Sequence, residues 1–258
     1  MSNVDISSST NDRIKRLVRL KQRIHRDKEG VFVVEGNLLF DRARSSGLTP
    51  LEVFVTSGNP VQSELKTTIV DPLALDKASY RNRSQGLIAV FEQFPRPIEA
   101  FPIGPSPLIL VAESVEKPGN LGAMLRTVDA VGATGLITTG SPVDLFNPNL
   151  IRSSTGAVFT VPYAHAGLSE LVVWLTERDV ELVATVPGAT DTYWAADLAG
   201  SVAIMVGAED TGLSREAREA ADLTVSIPMS GASDSLNVSV AAALLAFEAR
   251  RQRSSLGD

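Results

Sequence analysis

Cysteine is absent from the 258-residue chain, and histidine occurs only as His25 and His165. The first absence excludes disulfides, thiolate nucleophiles and Cys-ligated zinc or iron–sulfur sites. The second leaves too few imidazoles for a histidine-rich metal centre, so no metal is expected. A Ser/His/Asp triad finds no recognisable setting. His25 falls in a basic run, and His165 follows Pro162-Tyr163 in an expected loop. No apolar run approaches the roughly 18 residues of a membrane span. The start, MSNVDISSSTND, lacks a basic stretch followed by an apolar core, so no signal peptide is expected and the protein is read as cytoplasmic. Neither G-x-G-x-x-G nor a P-loop Lys-Ser/Thr follows the glycines near residue 119, which argues against a nucleotide-dependent oxidoreductase.

What is present describes a globular protein: 44% apolar and 21% charged residues, with length for one large domain or two ordinary ones. The net charge of −6 hides an asymmetry. Residues 1–100 hold 15 Lys/Arg against 12 Asp/Glu, and residues 101–258 hold 9 against 18. The basic surplus concentrates in RIKRLVRLKQRIHRDK, residues 13–28. A polyanion responds to that local field rather than to the average. A solvated helix face is the ordinary alternative.

Apolar, β-branched runs bounded by Gly, Pro and Asn predict strands at 31–36, 51–56, 67–70 and 86–92, with helices at 12–23, 37–46 and 72–79. The first 96 residues therefore read as a small α/β domain. FPRPIEAFPIGPSP, residues 94–107, carries five prolines, which lock φ, so residues 97–107 are expected to be an extended linker. Residues 108–258 alternate again. Strands are expected at 108–114, 135–139, 181–186, 202–207 and 223–228, with helices at 120–132, 147–156, 168–179, 214–221 and 237–253. Near-continuous apolar strands separated by helices imply a parallel sheet covered on both faces, with its ligand site at the strands' carboxyl ends.

Three stretches leave such strand ends. EKPGNLGAMLR, from Glu116, has Gly119 and Gly122 for close backbone approach, and Asn120 and Arg126 within reach of one face over two turns. A tight turn with Asn120 as cap and Arg126 solvated would read the same way. MVGAEDTGLS, from Met205, places Glu209 before a helix, where an acid also favours the helix dipole. IPMSGASDSLNVSVA, from Ile227, sets Ser235 and Asn237 at the start of an Ala-rich helix. Either side chain could cap that helix, but two such residues flanking Leu236, with Ser239 following, exceed what capping needs.

In order and spacing, these three stretches resemble the motifs of the SpoU (TrmH) family of RNA ribose 2′-O-methyltransferases, in the SPOUT superfamily. STNDRIKRLVRL followed by FVVEG resembles the ribosomal-protein-like substrate-binding domain of one branch. The first motif often opens with Asp-Pro, and here reads Lys117-Pro118. The resemblance implies an α/β fold whose C-terminal parallel-sheet domain, residues 108–258, contains a deep trefoil knot. It implies S-adenosylmethionine as methyl donor, RNA as substrate and a homodimer paired through the knotted domain. The site it implies centres on Arg126, with Asn120, Glu209, Ser235 and Asn237. Donor contacts are implied at Thr185, Val186, Gly188, Met205, Gly207, Ile227, Met229 and Leu236, with Gly207 admitting the ligand closely. RNA would be gripped by Arg13, Lys15, Arg16, Arg19, Lys21, Arg23 and Arg152, the last serving the partner's site. Ribosomal RNA of the large subunit is favoured over transfer RNA, in a housekeeping or an antibiotic-resistance role. A non-catalytic RNA-binding protein of the same fold is disfavoured because all five central residues are present.

Overall fold

Val, Ile, Leu and Phe dominate the strands, and the commonest helix openings are an Asn, Asp or Ser cap or a proline in the first turn. The computed structural model describes residues 4–60, 65–81, 83–232 and 234–254. In chain order the elements are α1 (Asp12–Arg19), α2 (Arg23–Glu29), β1 (Val31–Glu35), α3 (Asn37–Ser45), β2 (Pro50–Val55), β3 (Thr67–Ile69), α4 (Pro72–Ala78) and β4 (Leu87–Glu92). A 3-10 turn, Ile98–Ala100, precedes β5 (Leu108–Glu113), α5 (Pro118–Val131), β6 (Gly135–Thr139), α6 (Pro148–Ser153), α7 (Ala157–Thr160) and β7 (Tyr163–His165). Then come α8 (Leu168–Thr176), β8 (Glu181–Thr185), β9 (Asp191–Thr192), β10 (Val202–Val206), α9 (Arg215–Ala220), β11 (Leu223–Ser226) and α10 (Val238–Ser254).

Two compact units result. The first comprises Met1–Pro95 together with Asp144–Phe159. Its mixed sheet runs β1-β4-β2-β3, with β4 antiparallel to both neighbours and β3 parallel to β2. Ile14, Leu17 and Leu20 pack on Val31, Phe54 and Ile88 to form its core. The helix expected over 12–23 breaks after Arg19, because the buried Arg26 guanidinium takes the carbonyls of Leu20 and Lys21, each at 2.9 Å. The inclusion of residues 144–159 departs from the expectation that 108–258 form one domain. Its physical basis is an ion pair of Arg26 with Asp144 and the stacking of Phe146 on Phe32, centroids 4.7 Å apart. Left-handed Thr155 and Gly156 split the helix expected at 147–156 into α6 and α7.

The second unit holds a seven-stranded sheet in the order β7-β6-β5-β10-β8-β11-β9, parallel throughout. The proline-rich stretch expected as a linker contributes to this unit's core. Ile98 and Phe101 are buried, and Phe101 meets Trp174 edge-on with centroids 5.8 Å apart. Proline restricts the path of this stretch without keeping its apolar residues in water. His165, expected in a loop, ends strand β7, where its Nδ1 lies 3.1 Å from Thr138 Oγ1. Helix α10 returns from the sheet to lie against α5, β10 and β5. Among the described residues, no helix is long and apolar enough to cross a membrane.

Candidate active site

The carboxyl ends of β5, β8, β10 and β11 lead into the loops that carry the motif residues, as expected for an open parallel sheet. Helix α5 opens with Pro118 in its first turn, where a missing N–H costs nothing, and this sets Asn120 two residues further in. Glu209 lies on the loop between β10 and α9. Two features hold that loop. A Cβ on Gly207 would overlap the backbone of Gly212 and Leu213, so the loop folds back over the strand end only because residue 207 is glycine. Glu113, the buried last residue of β5, accepts from both the backbone N–H and the hydroxyl of Ser214, each at 2.7 Å. The same Ser214 hydroxyl caps α9 by accepting from Ala217 N–H at 3.0 Å.

Asn120, Glu209 and Asn237 converge. Asn120 Nδ2 donates to Glu209 Oε1 at 2.5 Å, and Asn237 Nδ2 donates to the same oxygen at 2.8 Å and to Asn120 Oδ1 at 3.2 Å. Asn237 also caps α10. Its Oδ1 accepts from Ser239 N–H at 3.0 Å and from the Ser239 hydroxyl at 2.6 Å. The other carboxylate oxygen, Oε2, pairs with the ammonium of Lys117. These contacts, Lys117 first and Asn120 second, hold the Glu209 carboxyl below the usual glutamate range. In return Glu209 raises Lys117. Glu209 is therefore an anion at neutral pH, flanked by two amides and an ammonium.

Arg126 and Ser235 are exposed, and neither makes a side-chain hydrogen bond or ion pair among the described residues. In the sequence, Lys117 has no site role beyond a departure from the motif, and nothing points to Glu113. Lys117 stands where the motif often has Asp, and Glu113 is a carboxylate ending an otherwise apolar strand.

For the donor-contact residues the picture is mixed. Met205 is fully buried in the core of the sheet, so its side chain has no access to a ligand. At Gly207 the missing Cβ leaves room for the backbone of Gly212 and Leu213. Thr185 Oγ1 is buried without a partner among the described residues, and Gly188 adopts φ +77°. Val186 N–H donates to Val225 O at 2.8 Å. Ile227 is half-buried, while Met229 and Leu236 are 38% and 37% exposed. An unsatisfied hydroxyl and open apolar side chains at neighbouring strand ends suit a ligand with both a polar part and a flat apolar part.

The residues expected to grip RNA all lie in the first unit. Arg16 pairs with Glu29 and Glu52, and Arg13 pairs with Glu52 at 2.9 Å while lying over the Phe54 ring. Lys15 pairs with Asp12, and Arg23 with Asp27. Lys21 donates to Lys77 O at 2.9 Å, and burial lowers its pKa. Arg19 is exposed, with no side-chain partner among the described residues. Arg152 donates to Asn149 Oδ1 at 2.6 Å, and Asn149 in turn donates to Tyr80 OH at 2.9 Å.

Residues 107–247 match the SpoU rRNA Methylase family, and residues 11–89 match the MRM3-like substrate binding domain. The chain belongs to the SpoU rRNA methylase family. Among its SpoU relatives, an "Uncharacterized tRNA/rRNA methyltransferase" of Synechocystis sp. is 31% identical, covering 96% of this chain and 94% of its own. The 23S rRNA (guanosine(2553)-2'-O)-methyltransferase RlmP of Bacillus subtilis is 29% identical over 95% and 98%. A crystal structure of an RNA 2'-O ribose methyltransferase superposes with TM-score 0.87 at 43% identity, covering 96% and 99%. The SpoU methyltransferase AviRb of Streptomyces viridochromogenes, in complex with the cofactor AdoMet, superposes with TM-score 0.86 at 28% identity over 95% and 99%.

Proposed function

We propose that this SpoU protein is an S-adenosylmethionine-dependent methyltransferase acting in the cytoplasm on a ribose 2′-hydroxyl of large-subunit ribosomal RNA. The observation that carries the reading is the convergence of Asn120, Glu209 and Asn237 where the sheet's strand ends open. Similarity over nearly the whole chain to a 23S rRNA methyltransferase favours ribosomal over transfer RNA. The bound donor supplies a methyl group on a sulfonium centre, and Thr185, Val186, Gly188, Ile227, Met229 and Leu236 would hold it. Asn120, Glu209 and Asn237 orient the ribose with Ser235. Arg126, exposed and with no side-chain partner among the described residues, holds the adjacent phosphate and stabilises the developing alkoxide. A guanidinium is protonated at any relevant pH, so it acts as a charge rather than as a base.

A homodimer is part of this proposal. Val240, Leu244 and Phe247 form an exposed apolar stripe along α10 beside Tyr193, a face that a second copy would cover. The deep trefoil knot is likewise proposed, supported by family membership and by the return of α10 onto α5. The test is incubation with radiolabelled donor and total RNA, followed by mapping of ribose methylation. Label at one 2′-hydroxyl of 23S rRNA is expected. Label confined to transfer RNA would refute the substrate assignment, and no label in any RNA would favour a binding-only protein.

A further inference from the structure

We propose that Lys117 is a substrate-binding residue that exchanges Glu209 for a phosphate of the RNA, and so exposes a carboxylate oxygen to the target ribose. This rests on the function proposed above. The two oxygens of Glu209 are held in different ways. Oε1 receives two amide donors that are themselves fixed, Asn120 on α5 and Asn237 by its capping bonds. Oε2 is held by the Lys117 ammonium. The Lys117 side chain is 69% exposed, against 22% for Glu209, so the lysine reaches in from solvent to an anchored carboxylate.

An ion pair with one partner so exposed is worth little, because water screens it and the long lysine stem loses freedom in forming it. A backbone phosphate offers the same ammonium an equally charged partner, and RNA binding adds the release of condensed counterions. Exchange is therefore inexpensive on the protein side and favoured on the RNA side. Once it occurs, Oε2 is an ionised acceptor beside two fixed amides, placed to take a hydrogen bond from a ribose hydroxyl. An aspartate at position 117 would repel Glu209 and attract no phosphate. The lysine thus makes opening of the site depend on RNA.

The full-length protein carrying Lys117→Gln or Lys117→Arg is compared with wild type, using an unmodified 23S rRNA transcript as probe. Lys117→Gln is expected to raise KM for RNA roughly five- to tenfold, the loss lying in KM rather than kcat. It should also flatten the slope of log affinity against log salt by about 0.7–0.9, the value of one phosphate contact. Lys117→Arg should restore the slope. An unchanged slope overturns the proposal. So does a loss confined to kcat, which would make Lys117 a clamp on Glu209. Weakened S-adenosylmethionine binding by calorimetry would assign the lysine to the donor's carboxylate instead, and also overturns it. If wild type methylates no RNA, the proposed function fails, whereas the salt slopes still report on Lys117.

Discussion

Asn237 serves two ends with one side chain: its oxygen caps α10 and its nitrogen ties Glu209 to Asn120. Asp caps a helix about as well as Asn but cannot donate, and it would set a second carboxylate against Glu209. Asn237→Asp should therefore unfold in urea close to wild type while methylation falls about 10²-fold through lost positioning. Asn237→Ala should lose the cap as well, at about 1 kcal/mol. The pH dependence follows from Glu209. Its lowered pKa means that the contacts of the ionised form are present above the unfolded value and are lost as pH falls through the folded one. The acid limb of kcat/KM should lie below the ordinary glutamate range, and Lys117→Gln, which removes the largest cause of the shift, should move it upward. Arg126→Lys keeps a charge but loses the planar fork. That variant should bind donor normally and turn over slowly in single-turnover assays.

The basic run of α1 and α2 is less free than its composition suggests. Arg13 and Arg16 converge on Glu52, and Arg16 also meets Glu29, so acids from β2 and from the end of α2 neutralise the start of the run. Replacing Lys15, Arg19 and Lys21 with Gln should flatten the salt dependence of RNA binding and leave S-adenosylmethionine affinity intact, as filter binding and calorimetry would report. The segment around α6 depends on a different device. Arg26 is 1% exposed and Asp144 is its carboxylate partner. Asp144→Ala would leave a buried guanidinium with carbonyl partners alone, and should cost about 3 kcal/mol in urea unfolding.

At the scale of the whole molecule, the chain divides its chemistry between two units. The proposed donor and ribose contacts lie in the second, and the basic residues proposed for RNA, including Arg152, lie in the first. Arg152 thus comes from the C-terminal half of the sequence yet belongs structurally with the N-terminal residues. The apolar stripe on α10 sets the expected assembly. Phe247→Glu places a charge in the middle of that stripe and should convert a dimer to a monomer in light scattering.

Periodicity and strand-end logic were enough to read an α/β chain with a parallel C-terminal sheet, and the resemblance of three strand-end stretches to family motifs was needed to single out Asn120, Arg126, Glu209, Ser235 and Asn237 as a candidate site. Such features are local, because each strand or helix declares itself within a few residues. The tertiary structure alone decided what those residues meet. Asn120 lies 89 residues from Glu209 and 117 from Asn237, and Lys117 lies 92 from the carboxylate it pairs with. The sheet order puts β10 beside β5, which brings the loops of Glu209 and Asn120 together, and the packing of α10 on α5 brings in Asn237. The same holds for Gly207, whose missing side chain is required by the loop folded over it, and for residues 144–159, which Arg26 and Phe32 draw into the first unit. Pairing across such separations is governed by burial and charge in the folded chain, which no local pattern encodes.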